Sequence, residues 1–218
     1  MQLRQLHEHL WIAEMPYVFF GVPAGARMTV ARRGGELWLH SPIEISAELR
    51  AEIESLGAVT RIVAPNNFHY LHLEEAAQMF PAATIFATPA VVKKLKIEAQ
   101  APEKSGDGNL QALRFRGNRA AQETVFFHVP SRTLILTDLS FNLHDFPTAW
   151  AKLAAKIYGA DRGFGPSRLM KLTTRNKAAA RQSIRKILSW DFERIVFSHG
   201  AILEENGKEQ FQRAWSWL

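Results

Sequence analysis

Short apolar strands occur in two runs along this 218-residue sequence, and helical patterns follow each run. This order constrains the fold, because strands that are close in sequence pair as antiparallel neighbours and the apolar side of each helix must cover a sheet. The first run is predicted at residues 10–13, 27–32 and 36–40. The second run is predicted at residues 110–116, 123–128 and 132–137. An α+β fold with two packed sheets and helices outside, the four-layer αββα sandwich, satisfies this order.

Residues that favour helix ends define the first helix. Ser46 supplies an N-cap and Gly57 a C-terminal stop for a helix with Leu49, Ile53 and Leu56 on one face. Other strands are predicted at 59–64, 83–87 and 194–198, with helices at 73–80, 89–97, within 147–190 and from about 206. No linker divides these elements, so residues 1–218 are predicted to form a single domain.

The absence of cysteine restricts the chemistry of any metal site. With zero cysteines there is no disulfide and no thiolate ligand, so His, Asp or Glu would hold a metal, which suits zinc, iron or manganese. The sequence contains no run of about 18 apolar residues, and its first residues lack the apolar core of a signal peptide. We therefore expect a cytoplasmic protein without a membrane partner.

Basic residues are concentrated between residues 152 and 194 in a chain of net charge +6. Eleven lysines and arginines in this segment, Arg162 among them, face only three acidic residues. A solvated helix face accounts for such a run most simply, and nucleic acid is the alternative partner. No RNA-binding or helix-turn-helix signature accompanies the charge.

Two histidines lie in a loop directly after a predicted buried strand. His69 and His72 follow strand 59–64, and their spacing suits a loop or a first helical turn that converges on one point. Asp138 and His199 likewise follow apolar strands. Each alone could be structural, as a capping aspartate or a histidine bonded to backbone. Together these four residues predict a metal site at one edge of a sheet.

The order of these residues resembles the metallo-β-lactamase superfamily. The shared features are a His-rich loop after an early strand, an Asp after Leu-X-Leu-Thr, and a late Ser-His-Gly. The segments at 27–29, 37–42 and 63–66 are similar to a branch described as a domain of unknown function. The resemblance covers nearly the whole chain and implies the αββα sandwich.

The resemblance also implies a loop motif, His-X-His-X-Asp-His, which this chain matches only in part. Asn67 stands at the first histidine, His69 at the second, Leu71 at the aspartate and His72 at the last histidine. Leu71 cannot orient water or accept a proton. An ordinary two-metal hydrolase is therefore not expected.

A one-metal site is the arrangement that these residues predict. By the resemblance, Asp138 corresponds to the bridging aspartate and His199 to the late histidine. We expect one divalent ion, zinc before iron or manganese, held by His72, Asp138 and His199 with His69 as a fourth ligand. A site without metal is the alternative.

The sequence thus predicts a metal-dependent hydrolase of small esters, amides or thioester-like molecules, with Asp138 and His69 as catalytic residues. Arg27, His40 and Asn67 are candidates for the substrate pocket. The alternative is a catalytically inactive protein of the same fold that binds a small molecule, nucleic acid or another protein. Substrate and oligomeric state stay open.

Overall fold

The computed structural model describes residues 1–19, 21–161 and 163–218, so Arg162 of the basic segment lies outside the described residues. Its first half contains a six-stranded sheet and a small hairpin. In chain order these strands are β1 (Arg4–His7), β2 (Leu10–Met15), β3 (Val18–Phe19), β4 (Val22–Pro23), β5 (Ala26–Arg33), β6 (Glu36–His40), β7 (Ala58–Val63) and β8 (Thr84–Phe86). The large sheet has the order β1-β2-β5-β6-β7-β8, and β3 pairs with β4. Neither β1 nor the hairpin was predicted from the sequence.

A second sheet of four strands forms from the other half of the chain. Its strands are β9 (Leu110–Arg114), β10 (Thr124–His128), β11 (Thr133–Ile135) and β12 (Arg194–Val196), in the order β12-β11-β10-β9. The β9, β10 and β11 strands pair antiparallel, whereas β11 and β12 run parallel. The long segment between β11 and β12 supplies the connection that a parallel pair requires.

Seven α-helices are described, and side-chain caps begin most of them. They are α1 (Ala47–Leu56), α2 (Leu73–Met79), α3 (Pro89–Leu95), α4 (Ala149–Tyr158), α5 (Arg168–Thr173), α6 (Lys177–Leu188) and α7 (Gly207–Ala214). Ser46 caps α1 as predicted, because its side chain accepts a hydrogen bond from the backbone N–H of Leu49. The predicted helical stretch 147–190 consists of α4, α5 and α6. Among the described residues, no helix is both long and apolar enough to cross a membrane.

The buried apolar residues form layers that confirm the αββα sandwich. Leu10, Trp38 and Val63 of the first sheet pack against Phe126 and Ile135 of the second sheet. On its outer face the first sheet is covered by α1, α2 and α3, and the second sheet by α5, α6 and α7. This layering leaves the ends of the central strands open at one edge, where the candidate site lies.

A buried histidine at the end of β10 predicts acid sensitivity. His128 is 1% exposed, and its Nδ1 lies 2.6 Å from Ser131 Oγ. Burial, together with the charges of His7 and His9, lowers its pKa to about 4, although Asp107 acts in the opposite direction. In the unfolded chain the His128 ring takes up a proton near pH 6.5, whereas in the native protein it stays neutral until about pH 4. The free energy of unfolding is therefore fully retained above pH 6.5 and decreases as the pH falls from 6.5 toward 4.

In wild type, this proton uptake lowers the free energy of unfolding by on the order of 2 kcal/mol at pH 5 relative to pH 7.5, and we expect His128→Gln to lack that decrease. Denaturant unfolding at pH 5 and pH 7.5 measures it. The exposed His144 provides the control, because His144→Gln should unfold like wild type at both pH values. An identical pH dependence in His128→Gln and wild type would contradict the prediction.

Candidate metal centre

Three residues singled out from the sequence meet at one edge of the sandwich. His69 lies in the loop after β7, while Asp138 and His199 follow β11 and β12. Because β11 and β12 are parallel neighbours, the residues that follow them emerge at the same edge. One donor atom from each of the three residues lies within 4.8 Å of the other two. His69 Nε2 is 3.2 Å from Asp138 Oδ2, and His199 Nε2 is 3.7 Å from Asp138 Oδ1.

Hydrogen bonds at the Nδ1 atoms orient both imidazoles toward the carboxylate. His199 Nδ1 lies 2.6 Å from the carbonyl oxygen of Gly25, which only accepts, so Nδ1 carries the proton and Nε2 keeps its lone pair in the neutral ring. His69 Nδ1 lies 2.7 Å from Ser41 Oγ. Gly200 permits the turn after His199, since it has a φ of +84° and a Cβ there would lie 2.2 Å from Asn142 O. Such outer partners are typical of metal-binding histidines.

Asn66 shapes the histidine loop and fixes the aspartate. Its Oδ1 accepts hydrogen bonds from the backbone N–H groups of Phe68 (2.8 Å) and His69 (2.9 Å). Its Nδ2 donates to Asp138 Oδ2 (2.6 Å) and to Thr137 Oγ1 (2.9 Å). A single amide side chain thus turns the loop and ties it to the end of β11.

Glu123 is a residue at this site that the sequence analysis missed. It is buried directly before β10, and its two carboxylate oxygens accept the backbone N–H groups of Thr137 (2.8 Å) and Asp138 (2.9 Å). Burial, followed by the negative charge of Asp138, raises the pKa of Glu123 to about 7. A carboxylate placed immediately before the apolar segment 124–127 is the signal that could have indicated it.

The ionisation of the cluster favours cation binding. Burial alone would raise the pKa of Asp138, but His69, His199 and the hydrogen bond from Asn66 outweigh it and lower the pKa to about 2. Burial, together with the charge of His69, lowers the pKa of His199 to about 4. Burial also acts to lower the pKa of His69, yet the Asp138 carboxylate outweighs it and the net shift is upward. An incoming ion competes with a proton for His69, so metal affinity falls as the pH falls.

The donor set and its spacing fit a single ion. In a tetrahedral site with bonds of about 2.0–2.1 Å, neighbouring donor atoms lie roughly 3.4 Å apart. Each imidazole Nε2 lies close to that distance from one carboxylate oxygen of Asp138, His69 at 3.2 Å from Oδ2 and His199 at 3.7 Å from Oδ1. Two imidazoles and one carboxylate are ligands that zinc accepts, with a fourth position left for water or substrate. The cluster formed by His69, Asp138 and His199, hereafter the His/Asp cluster, could therefore hold a metal ion.

Comparison with solved structures identifies the fold. The DIM-1 metallo-β-lactamase exposed to ceftazidime matches with a TM-score of 0.66 over 98% of this chain and 96% of its own, at 11% identity. FIM-1 from Pseudomonas aeruginosa, solved in its mono-zinc form, gives 0.64 over 99% and 93%, at 11% identity. The metal-soaked flavodiiron core Flv1 from Synechocystis sp. PCC6803 gives 0.65 over 99% and 60%, at 13% identity. The chain has the metallo-β-lactamase fold.

The likeness to metallo-β-lactamases is one of fold. No family model and no curated protein matches the chain in sequence. The identities of 11–13% to the solved structures are too low to carry their activities over to this chain. The chemistry must therefore be argued from the residues at the edge of this metallo-β-lactamase fold.

His72, predicted as a principal ligand, lies outside the His/Asp cluster. Its Nδ1 is 3.3 Å from Glu75 Oε2, and the ring is partly exposed at the start of α2. The turn held by Asn66 directs His69 toward Asp138, so His69 completes the cluster that was predicted around His72. The role of His72 as a ligand therefore stays a prediction that this geometry does not support.

Among the described residues, Arg27 and His40 do not line the pocket that leads to the cluster, so their part in substrate binding stays a prediction. The buried Arg27 guanidinium pairs with Glu14 and donates to backbone carbonyls on both sides of His199. His40 is fully buried between the sheets, where its ring stacks on Trp38 at 5.0 Å. Burial, followed by the charge of His69, lowers the pKa of His40 well below its ordinary value, so the ring is neutral.

Asn67, the third pocket candidate, also stabilises the fold instead of lining the pocket. Its Nδ2 donates to the carbonyl of Ala120 at 2.7 Å, and its Oδ1 accepts from Thr88 Oγ1 at 2.6 Å. Its backbone N–H donates to the carbonyl of Ala121 at 2.9 Å. The side chain that replaces a motif histidine is thus used to join the loop to two neighbouring segments.

A cavity of about 380 Å³ opens at the His/Asp cluster, and all three cluster residues line it. The cavity lies between the histidine loop, the β3–β4 hairpin and the segment from α4 to α5. Most of its wall is apolar, and it includes Met15, Tyr17, Phe68, Phe141, Leu143 and Leu169. Leu71, the substitute for the motif aspartate, also lines it and is 65% exposed. The site therefore combines one polar end with a mainly apolar chamber.

Proposed function

We propose that this protein is a metal-dependent hydrolase with a mononuclear site, in which His69, Asp138 and His199 hold one ion. The observation that carries the proposal is the convergence of three donor atoms within 4.8 Å at the end of a substrate-sized cavity. FIM-1, a solved metallo-β-lactamase of the same fold, is itself described in a mono-zinc form. Zinc is the first choice for this donor set, ahead of iron or manganese.

When bound, such an ion supplies Lewis acidity, which polarises a carbonyl group and makes water nucleophilic near neutral pH. The protein's own residues supply position and charge. Ser41 and Gly25 hold the rings of His69 and His199, and Asn66 holds the Asp138 carboxylate. The mostly apolar wall leaves the His/Asp cluster as the polar end of the cavity.

Proton transfer is the weak part of this site. Leu71 accepts no proton, and Asp138 is the only carboxylate among the described residues that line the cavity. Asp138 Oδ2, at 3.2 Å from His69 Nε2, is the atom placed to take a proton at the reacting end. A base with a pKa of about 2 is far from the value near the working pH that gives efficient transfer. We therefore propose slow turnover.

A catalytically inactive protein that only binds its ligand is the second candidate. Leu71 at the position of the motif aspartate favours it, because no described side chain replaces that carboxylate at the cavity. Both candidates keep the same cavity, and only the hydrolase requires the ion and turnover, so zinc-dependent turnover is the observation that separates them.

The test is hydrolysis of 4-nitrophenyl esters and thioesters by zinc-loaded protein, with His199→Ala as the metal-site variant. We expect zinc-dependent turnover that a chelator abolishes and that falls more than about 100-fold in His199→Ala. Glu103→Ala, an exposed change distant in sequence from the cluster, serves as the matched control and should leave the rate unchanged. Turnover no faster in zinc-loaded wild type than in His199→Ala would support the inactive binding protein.

A further inference from the structure

The geometry points to a neutral ligand with an apolar alkyl or aryl part, which fills the cavity while its polar end lies at the His/Asp cluster. This inference rests on the proposed function and deepens it, because it names the class of substrate that such a site would take. A neutral ester, lactone or amide with a medium-length apolar group is the corresponding substrate. The wall, the mouth and the charge of the cavity each favour such a ligand.

The wall of the cavity offers a ligand few polar contacts away from the cluster. Six other polar residues line it, and two of them are the tyrosines Tyr17 and Tyr158. The protein itself engages the other four side chains. Ser41 Oγ bonds to His69, and Ser167 Oγ accepts the backbone N–H of Met170 at 3.1 Å. Thr173 Oγ1 donates to a backbone carbonyl of the preceding turn, and His72 pairs with a glutamate. Polar recognition is therefore concentrated at the cluster end, where Tyr17 also lies with its ring 6.1 Å from that of His199.

Large apolar side chains at the mouth remain uncovered. Phe68, Leu71 and Leu169 line the cavity, yet they are 52%, 65% and 55% exposed. Removing apolar surface from water is favourable in proportion to the area covered. A ligand with an apolar part covers these side chains and the wall below them at once. The cavity volume of about 380 Å³ lies within the range typical of small-molecule sites.

The charge of the cavity disfavours an anionic tail. Among the described residues that line it there is no lysine or arginine, and Asp138 is the one carboxylate. A carboxylate on the ligand would thus find no cation in the described wall and would lose its hydration in an apolar chamber. The buried Arg27 is already paired with Glu14 and with backbone carbonyls. A neutral apolar group needs no cation as a partner and loses no hydration of a charge when it enters the cavity.

The experiment is displacement of the neutral fluorescent probe N-phenyl-1-naphthylamine from metal-free protein by 1-butanol, 1-hexanol and 1-octanol. Each methylene buried should tighten binding about fourfold, so octanol should bind about 250-fold more tightly than butanol. Methyl octanoate should displace the probe at lower concentration than octanoate. Affinity that does not rise with chain length, or octanoate binding as tightly as its methyl ester, would overturn the inference.

Two leucines on α5 provide a matched pair of variants. Leu169 lines the cavity, whereas Leu172, at 77% exposure, does not. Leu169→Glu should weaken octanol binding at least about tenfold, because it places a charge at the apolar mouth, and Leu172→Glu should change it less than about twofold. Equal weakening in both variants would show that the probe sits on the helix surface and would overturn the inference.

The same measurements separate this inference from the proposed function. His199→Ala should keep the chain-length dependence, since His199 lies at the polar end of the cavity. Alcohol binding as expected in a protein that takes up no zinc would refute the metal-dependent hydrolase alone. Zinc uptake and turnover without any preference for longer chains would refute the apolar ligand alone.

Discussion

Replacement of His199 by alanine is expected to weaken zinc binding more than about 100-fold, the largest effect on binding that the site predicts. Loss of an outer hydrogen-bond partner typically costs 10–100-fold in metal affinity, and loss of a direct ligand exceeds that. The other two donors, His69 and Asp138, remain within 3.2 Å of each other but are too few to hold an ion tightly. Zinc content after dialysis and calorimetric titration measure the change. Circular dichroism establishes that the variant is folded.

His72→Ala is the matched control for that experiment. His72 lies in the same loop as His69, three residues away, but pairs with Glu75 and not with Asp138. Zinc affinity should therefore change less than about threefold in His72→Ala, while His69→Ala should behave like His199→Ala. Loss of zinc from His72→Ala with retention in His69→Ala would restore the ligand set predicted from sequence and contradict the structural one.

Arg27→Met is expected to lower the free energy of unfolding by about 3 kcal/mol, the largest stability change predicted for this protein. The guanidinium Nη2 donates to the carbonyl of Gly200 at 2.7 Å, Nη1 donates to that of Phe197, and Nε donates to Glu14 at 2.9 Å. Methionine preserves much of the packing but leaves the buried carbonyl of Phe197 and the partly buried carbonyl of Gly200 without their donor. Among the described residues, Glu14 keeps only its pair with Arg4 at 3.6 Å. Urea unfolding at pH 7.5 measures the loss.

The effect of Arg27→Met should extend to the metal site. Because the two carbonyls flank His199, zinc affinity should also fall, by about 10–100-fold, as for other partners that orient a ligand. Arg213→Met is the control, since its pair with Glu209 is about three-quarters exposed and should contribute less than about 0.5 kcal/mol. Equal destabilisation by Arg27→Met and Arg213→Met would contradict the prediction that Arg27 stabilises the turn around His199.

Much of the fold follows from short-range signals in the sequence. Ser46 and Gly57 bound α1 as expected, and apolar runs bounded by turn residues locate the central strands of both sheets. The two-residue strands β3 and β4 carry too little pattern to be recognised. Their pairing depends on contacts with α4, which lies more than a hundred residues away in sequence.

Site residues whose positions depend on the strands could be predicted from the sequence. Site residues whose positions depend on side-chain hydrogen bonds could not. Asp138 and His199 come together because each follows one of two adjacent parallel strands. The choice between His69 and His72 depends on the hydrogen bonds that Asn66 makes to the backbone of its own loop. Hydrogen bonds of this kind leave no periodic pattern in the sequence from which they could be predicted. Glu123 was missed for the same reason, since its partners are backbone N–H groups about fifteen residues away.

The central claim is tested most directly by anomalous diffraction at the zinc edge from crystals grown with zinc. The structure predicts one strong peak at about 2.0–2.2 Å from His69 Nε2, the Asp138 carboxylate and His199 Nε2. No peak at this position, or a peak bonded to His72 in place of His69, would contradict the account.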